Sequence, residues 1–309
     1  MLLPFAPCRT APWGGVLACV ILAACAGSPP AASLPPGEAA VIEANRRADA
    51  YLRNGNLEGA ARYYREALRL AQAVEDAEGI AANAVNLSIV YQRLGKRDAA
   101  RESLEPLLRR SGLSFRSERL AQAALRRSVL DLEDRRYASA AEWANVAATH
   151  CVARDCMLSG AIHNVRGQIA LEEDRPEAAV ASARLALAAS RSSGDRVEVA
   201  NALRLLGLGS LRAGDAASAS AFLSEALAID KELGSPRKIT LDLIGLGRAS
   251  AARGDRGPAR AYYERALAVS EADRDSQGAM DARSLADALG DGARVLSPEP
   301  TGAGSRAGQ

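Results

Sequence analysis

An all-α array of helix pairs is the fold class this sequence predicts, and three observations predict it. Short polar breaks recur at a fixed interval: "RNGNLEGA", "RLGKRDAA", "EDRRYASA", "EEDRPEAA", "RAGDAASA" and "ARGDRGPA". They place Gly55, Gly95, Arg135, Asp174, Gly214 and Gly254 in register, spaced by 40, 40, 39, 40 and 40 residues. Small residues recur in step with them, at Ala60, Ala100, Ala140, Ala179, Ala219 and Ala259 after the break and at Ala48, Ser88, Ser128, Gly167, Gly207 and Gly247 before it. Larger apolar residues such as Tyr64, Leu206, Leu223, Leu246 and Tyr263 fall between these at helical spacing. Self-similarity at such a period is the signature of a repeat architecture. The small positions let paired helix backbones approach to about 8–10 Å.

Each element then follows in order. The run before a break is a first helix and the run after it is a second helix. The glycine in the break takes the left-handed conformation that ends a helix at little cost. Asp98, Asp174, Asp215 and Asp255 are placed to cap the helix that follows. Pro176 and Pro258 fall in a first helical turn, where a missing N–H costs little. A second set of breaks ("VEDAEG", "RSSGDR", "ELGSPR", "EADRDS") separates one pair from the next. About six hairpins therefore follow one another over residues 38–290, and the apolar stretch from Ala279 to Leu289 reads as a closing helix. One departure is expected. Pro106 lies deep in the second helix of the second unit and should kink or split it.

The stretches "ALRLLGLGSLRAGDAASASAFLSEALAI" and "RGDRGPARAYYERALAVSEA" carry Leu-Gly, Gly-Asp, Ala and Ala at positions that resemble the tetratricopeptide-repeat family. The unit of about 40 residues is similar to the subclass with a longer second helix. The resemblance implies a right-handed superhelical solenoid whose first helices line a concave groove, the helix-in-groove mode of recognition. The groove positions it implies here are Asn45 and Asp49, then Asn86 and Gln92, Gln122, Asn164 and Gln168, Asn201 and Arg204, and Arg248. Side-chain amides there could pair with the backbone of an extended or helical peptide.

The amino terminus carries an address. The apolar run from Ala11 to Ala24 is shorter than the roughly 20 residues that span a bilayer. Arg9 precedes it and no acid occurs before Glu38, the layout of a secretory signal peptide. Leu22-Ala23-Ala24-Cys25 resembles a bacterial lipobox, which implies a leader over 1–24 and lipidation of Cys25. Ala26 after the cysteine resembles the pattern of outer-membrane export, with the inner membrane as the alternative. Several acyl chains, at about 0.8 kcal/mol per buried CH₂, anchor stably without a spanning helix. Residues 25–37 read as a lipid-anchored, Pro-rich linker, and 291–309 as a disordered tail.

Charge and chemistry narrow the function. Without residues 1–24, which hold one basic residue, the chain has 38 basic and 37 acidic side chains, no footprint for nucleic acid. No catalytic constellation is evident. The two histidines, His150 and His163, belong to no Ser-His-Asp or HExxH pattern, and no phosphate loop occurs. "GLGRAS" and "GLGSLR" lack a third glycine and sit within helices. Cys8 and Cys19 fall in the leader, so Cys151 and Cys156 remain as an even pair in an oxidising compartment. A disulfide is the favoured reading, closing a short loop for about 2 kcal/mol. Free redox-active thiols, or a metal site with His150 or His163, are the alternatives; no cofactor is expected. These features favour a non-enzymatic, membrane-anchored periplasmic scaffold facing another envelope protein in secretion, pilus, outer-membrane or cell-wall assembly. A thiol- or metal-dependent envelope protein using Cys151 and Cys156 is the alternative.

Overall fold

The computed structural model describes residues 35–109, 112–152 and 156–294. They form an all-α, right-handed superhelical solenoid of six hairpins and a closing helix. The first hairpin is α1 (Pro36–Arg53) with α2 (Leu57–Ala73). The second is α3 (Ala77–Arg93) with α4 (Arg97–Glu102) and α5 (Glu105–Leu108), the two pieces of one interrupted helix. Then come α6 (Ser117–Glu133) with α7 (Tyr137–His150), and α8 (Ser159–Glu172) with α9 (Pro176–Ser193). The last two pairs are α10 (Arg196–Arg212) with α11 (Ala216–Glu232), and α12 (Pro236–Ala252) with α13 (Arg256–Asp273). The closing helix is α14 (Ser276–Arg294).

First helices pack on one another in an inner row, α3 on α6, α6 on α8, α8 on α10, α10 on α12 and α12 on α14. Second helices form the outer row: α2, α7, α9, α11 and α13 each lie against their own first helix and the next one. The small-residue register explains how the rows nest. Ala60, Ala100, Ala140, Ala179, Ala219 and Ala259 are all completely buried. At Gly207 and Gly247 the approach excludes any side chain, since an added Cβ would lie 2.5 Å from Leu223 and 2.3 Å from the Tyr263 ring.

Each turn inside a hairpin is built on one left-handed residue. Gly55, Gly95, Gly214 and Gly254 have φ between 73° and 84°. Arg135 and Asp174 take the same conformation at φ 57° and 56° although they carry side chains. Backbone bonds hold them there. Arg136 N–H donates to Asp131 at 2.8 Å and Arg175 N–H to Ala170 at 2.8 Å, repeating the Asn56-to-Tyr51 bond of the first turn.

Several expectations need correction. The helix cap falls one residue after the left-handed position, so Asp174 is itself the left-handed residue and Asp98 lies within α4. Asp215 does cap, accepting from Ser218 N–H at 2.9 Å. Asp255 stands at the cap position but its carboxylate takes Arg253 Nε at 3.1 Å instead. Helix α1 begins at Pro36, inside the stretch read as linker, because proline suits a first turn. Helix α14 runs to Arg294, four residues past the array boundary at 290, each added residue contributing one backbone bond. The segments 1–24 and Cys25, the linker up to residue 34 and the tail from 295 lie outside the described residues. No helix among the described residues is long and apolar enough to cross a membrane.

Candidate functional site

The inner row opens into a groove of ≈ 450 Å³. Its floor is apolar: α6 supplies Leu125, Val129 and Leu132, and α8 supplies Ala161 and Val165. Leu205 and Leu208 of α10 and Leu241 of α12 continue it. The floor follows from the repeat. Ten residues before the left-handed turn stand Leu125, Asn164 and Arg204, and six before it Val129, Gln168 and Leu208, so equivalent positions of successive first helices lie side by side.

Of the ten positions implied by the family resemblance, Gln122, Asn164, Gln168, Asn201 and Arg204 line this groove. Asn45, Asp49, Asn86, Gln92 and Arg248 do not. Asp49 accepts the Tyr64 hydroxyl, Gln92 bonds Glu133 and Arg126, Asn45 and Asn86 are half-buried, and Arg248 is exposed on α12. The groove therefore occupies units two to six and leaves the first unit out. Its leucines and valines were missed because, as letters, they match core residues such as Leu130 and Leu206. The available signal was partial: Val85, Leu125, Val129 and Leu208 stand ten or six residues before a turn, whereas Leu132, Val165, Leu205 and Leu241 do not.

The polar side chains divide into an ion-paired end, where Asp230 Oδ1 is nevertheless buried without a donor, and an end held by amides. Toward α12, Arg204 is buried, with Nε 2.6 Å from Asp242 Oδ1, Nη2 on Asp230 and Nη1 3.1 Å from Asn201 Oδ1. It was expected to meet a ligand; its guanidinium is instead consumed by this cluster. Lys238 Nζ donates to the same Asn201 oxygen at 2.6 Å, and Asn201 Nδ2 donates to Glu198 at 3.1 Å. Burial pushes the Asp242 carboxyl up to about 7 against the opposing pull of Arg204, and the Asp230 charge adds to the rise. Burial also lowers Lys238, with Arg204 reinforcing the effect.

Toward α6 the balance is different. Asn164 Nδ2 donates to Glu198 O at 3.0 Å and Glu198 Oε2 at 2.7 Å, which fixes the amide orientation. Asn164 is only 6% exposed, and its Oδ1 has no donor. Arg126 gives Nη2 to Gln92 Oε1 and, among the described residues, forms no ion pair, while its buried Nε has no acceptor there. Burial holds its pKa below the usual guanidinium value. Gln122 accepts Arg119 Nη1 at 2.8 Å, and Gln168 donates to Glu172 at 2.9 Å.

Beside the groove, Cys151 and Cys156 are joined by a disulfide with a Cα–Cα distance of 5.6 Å. That bond occupies both sulfurs between α7 and α8. His163 on α8 is half-buried, and burial, then Arg166, lowers its pKa.

Comparison with known proteins agrees with this architecture. Residues 38–111 match the tetratricopeptide-repeat family profile. No curated protein sequence matches the chain. Among solved structures, a Rap protein complexed with competence and sporulation factor is similar at TM-score 0.62 and 14% identity, covering 84% of this chain and 73% of that one. The apo form of RapI is similar at 0.58 and 12%, covering 82% and 72%. BtubC from P. vanneervenii is similar at 0.51 and 20%, covering 89% and 99%. At these identities the likeness is one of fold. Together with the profile match over residues 38–111, the 40-residue register and the inner row of first helices make this array similar to tetratricopeptide-repeat proteins.

Proposed function

We propose that the chain is a non-enzymatic, membrane-anchored periplasmic scaffold that holds a segment of another envelope protein in its groove. One observation carries the reading: an apolar floor of ≈ 450 Å³ whose wall contains a buried amide oxygen with no donor. An unpaired buried acceptor costs about 1–3 kcal/mol, and an N–H of a docked segment would repay it. The lipobox-like Leu22-Ala23-Ala24-Cys25 supports tethering, facing the periplasm from the outer membrane. The setting proposed is assembly of an envelope complex, in secretion, pilus formation, outer-membrane biogenesis or cell-wall enzyme control.

Photocrosslinking in cells tests the groove. Crosslinker at Val129 and Leu208 should trap a discrete partner, whereas crosslinker at exposed Arg260 on outer helix α13 should not. Adducts from Arg260 alone would discard the groove. Labelling with palmitate tests the anchor separately: incorporation should vanish in Cys25→Ala, and undiminished incorporation would discard it.

A further inference from the structure

The joint between α7 and α8 is built unlike its neighbours. Four other turns from one unit to the next run through a left-handed residue, Glu75, Gly194, Gly234 or Arg274. In three of them the following aspartate caps the next helix: Asp76, Asp195 and Asp275 accept from Gly79, Glu198 and Gly278 N–H at 2.9, 3.1 and 3.2 Å. Before α8 the cap position is Leu158, which supplies no side-chain bond. The Cys151–Cys156 disulfide ties the end of α7 to the start of α8 instead.

Packing across this joint is thin. Its buried apolar cluster is Ala124, Ala147 and Ile162, whereas Leu171, Leu205 and Leu206 fill the next one. The polar contacts that cross it are exposed: Arg166 Nη2 donates to Asn145 Oδ1 at 2.8 Å, and the Tyr137 hydroxyl to Glu172 at 3.4 Å. Among the described residues no ion pair crosses it, whereas Arg101 joins α4 to α6 and Arg204 joins α10 to α12. The bond is also open to attack. Both cysteines are half-buried, and Val152 and Met157 beside them are 81% and 59% exposed. Exposed disulfides are the labile and regulatory ones.

We propose that Cys151–Cys156 is a reducible lock: a dithiol protein cleaves it, and α1–α7 and α8–α14 then hinge at this joint. The lock is independent of what the groove holds. Cys151 packs against the buried cluster, which leaves Cys156 as the sulfur approached from outside. A thiolate of the dithiol attacks Cys156 Sγ, the S–S bond breaks, and the Cys151 thiolate leaves and takes up a proton. The dithiol's second thiolate attacks the mixed disulfide and releases the Cys156 thiolate, which is protonated in turn. Two electrons and the two thiol protons pass to the chain, and the partner departs with its own disulfide.

Reduction of the intact chain tests the lock. Dithiothreitol without denaturant should make Cys151 and Cys156 alkylatable, as mapped by peptide mass. Amide exchange should then quicken about 10-fold or more at the end of α7 and the first turn of α8, with α10–α13 unchanged. Solution scattering should show a larger radius of gyration, and reoxidation with glutathione disulfide should reverse both changes. Thioredoxin whose resolving cysteine is replaced by serine should be trapped on Cys156. A disulfide reduced only in denaturant, or no thioredoxin adduct, would overturn the proposal. So would unchanged exchange at the joint after reduction, or protection lost evenly from α1 to α14, the mark of a bond that merely stabilises the whole array.

Discussion

The second and third hairpins and the last two solve the same packing problem by different means. In the hairpins α10–α11 and α12–α13, glycines turn the chain, Asp215 caps α11, and Gly207 and Gly247 let the helices touch. In the middle, Pro106 divides the second helix into α4 and α5, and Arg135 makes the turn that glycine makes elsewhere. What replaces regularity there is a buried ion network. Arg101 reaches Asp131 through Nε at 2.8 Å, Asp98 through Nη1 at 2.7 Å, and Asp134 through Nη2. Ser139 and Arg127 also hold Asp131. The last hairpins bury an arginine too, but Arg204 joins two carboxylates across helices that already fit. One register thus tolerates either close apolar contact or a polar bridge at its joints.

The sharpest way to break the comparison is to remove the bridge. Arg101→Met would leave Asp131, whose side chain is only 1% exposed, with only the longer Arg127 contact at 3.3 Å as its cation. Breaking a buried pair from one side costs about 3–5 kcal/mol, so urea denaturation should show a loss of that size. A loss under ~1 kcal/mol would mean that helix contacts alone hold the joint between α4 and α6, as they do elsewhere.

The regular half should instead reveal itself through pH. Asp242 keeps its proton to about 7 in the folded chain, whereas an unfolded Asp releases it near 4. Between those values the folded state binds the extra proton, so this group's contribution is fully present below about 4 and is lost as pH rises through about 7. Tm should fall between pH 5 and pH 8 more steeply in the native chain than in Asp242→Asn. Equal slopes would show that the carboxyl does not titrate there.

The array was legible because its grammar is backbone grammar. A left-handed residue and a small residue must recur wherever two helices cross, and register alone singled out Arg135 and Asp174 although neither is glycine. Caps were less legible, since one residue decides whether Asp98 caps a helix or pairs with Arg101. The groove was half legible. Gln122, Asn164 and Gln168 could be carried over from the family resemblance, but Val129 looks like Leu130 until the structure shows that one faces the groove and the other the core. Arg204 and Arg126 were indistinguishable in kind. Their roles part because two carboxylates, Asp230 and Asp242, arrive from later helices for Arg204, while Arg126 meets the neutral amide of Gln92.

The smallest effect separates turn chemistry from network chemistry. Arg135 holds φ 57° without a glycine's freedom, a conformation that costs a side-chain-bearing residue about 1–2 kcal/mol. Arg135 takes no part in the ion pairs of Arg101, so Arg135→Gly relieves the backbone and leaves the bridge untouched. Glycine also loosens the unfolded chain, which offsets part of the gain. The net expectation is a stabilisation of about 0.5–1 kcal/mol in urea, and a smaller one for Asp174→Gly, since Asp tolerates the left-handed region better than Arg. If Arg135→Gly destabilises instead, the side chain contributes to the joint directly, and the middle hairpins depend on polar contacts even at their turns.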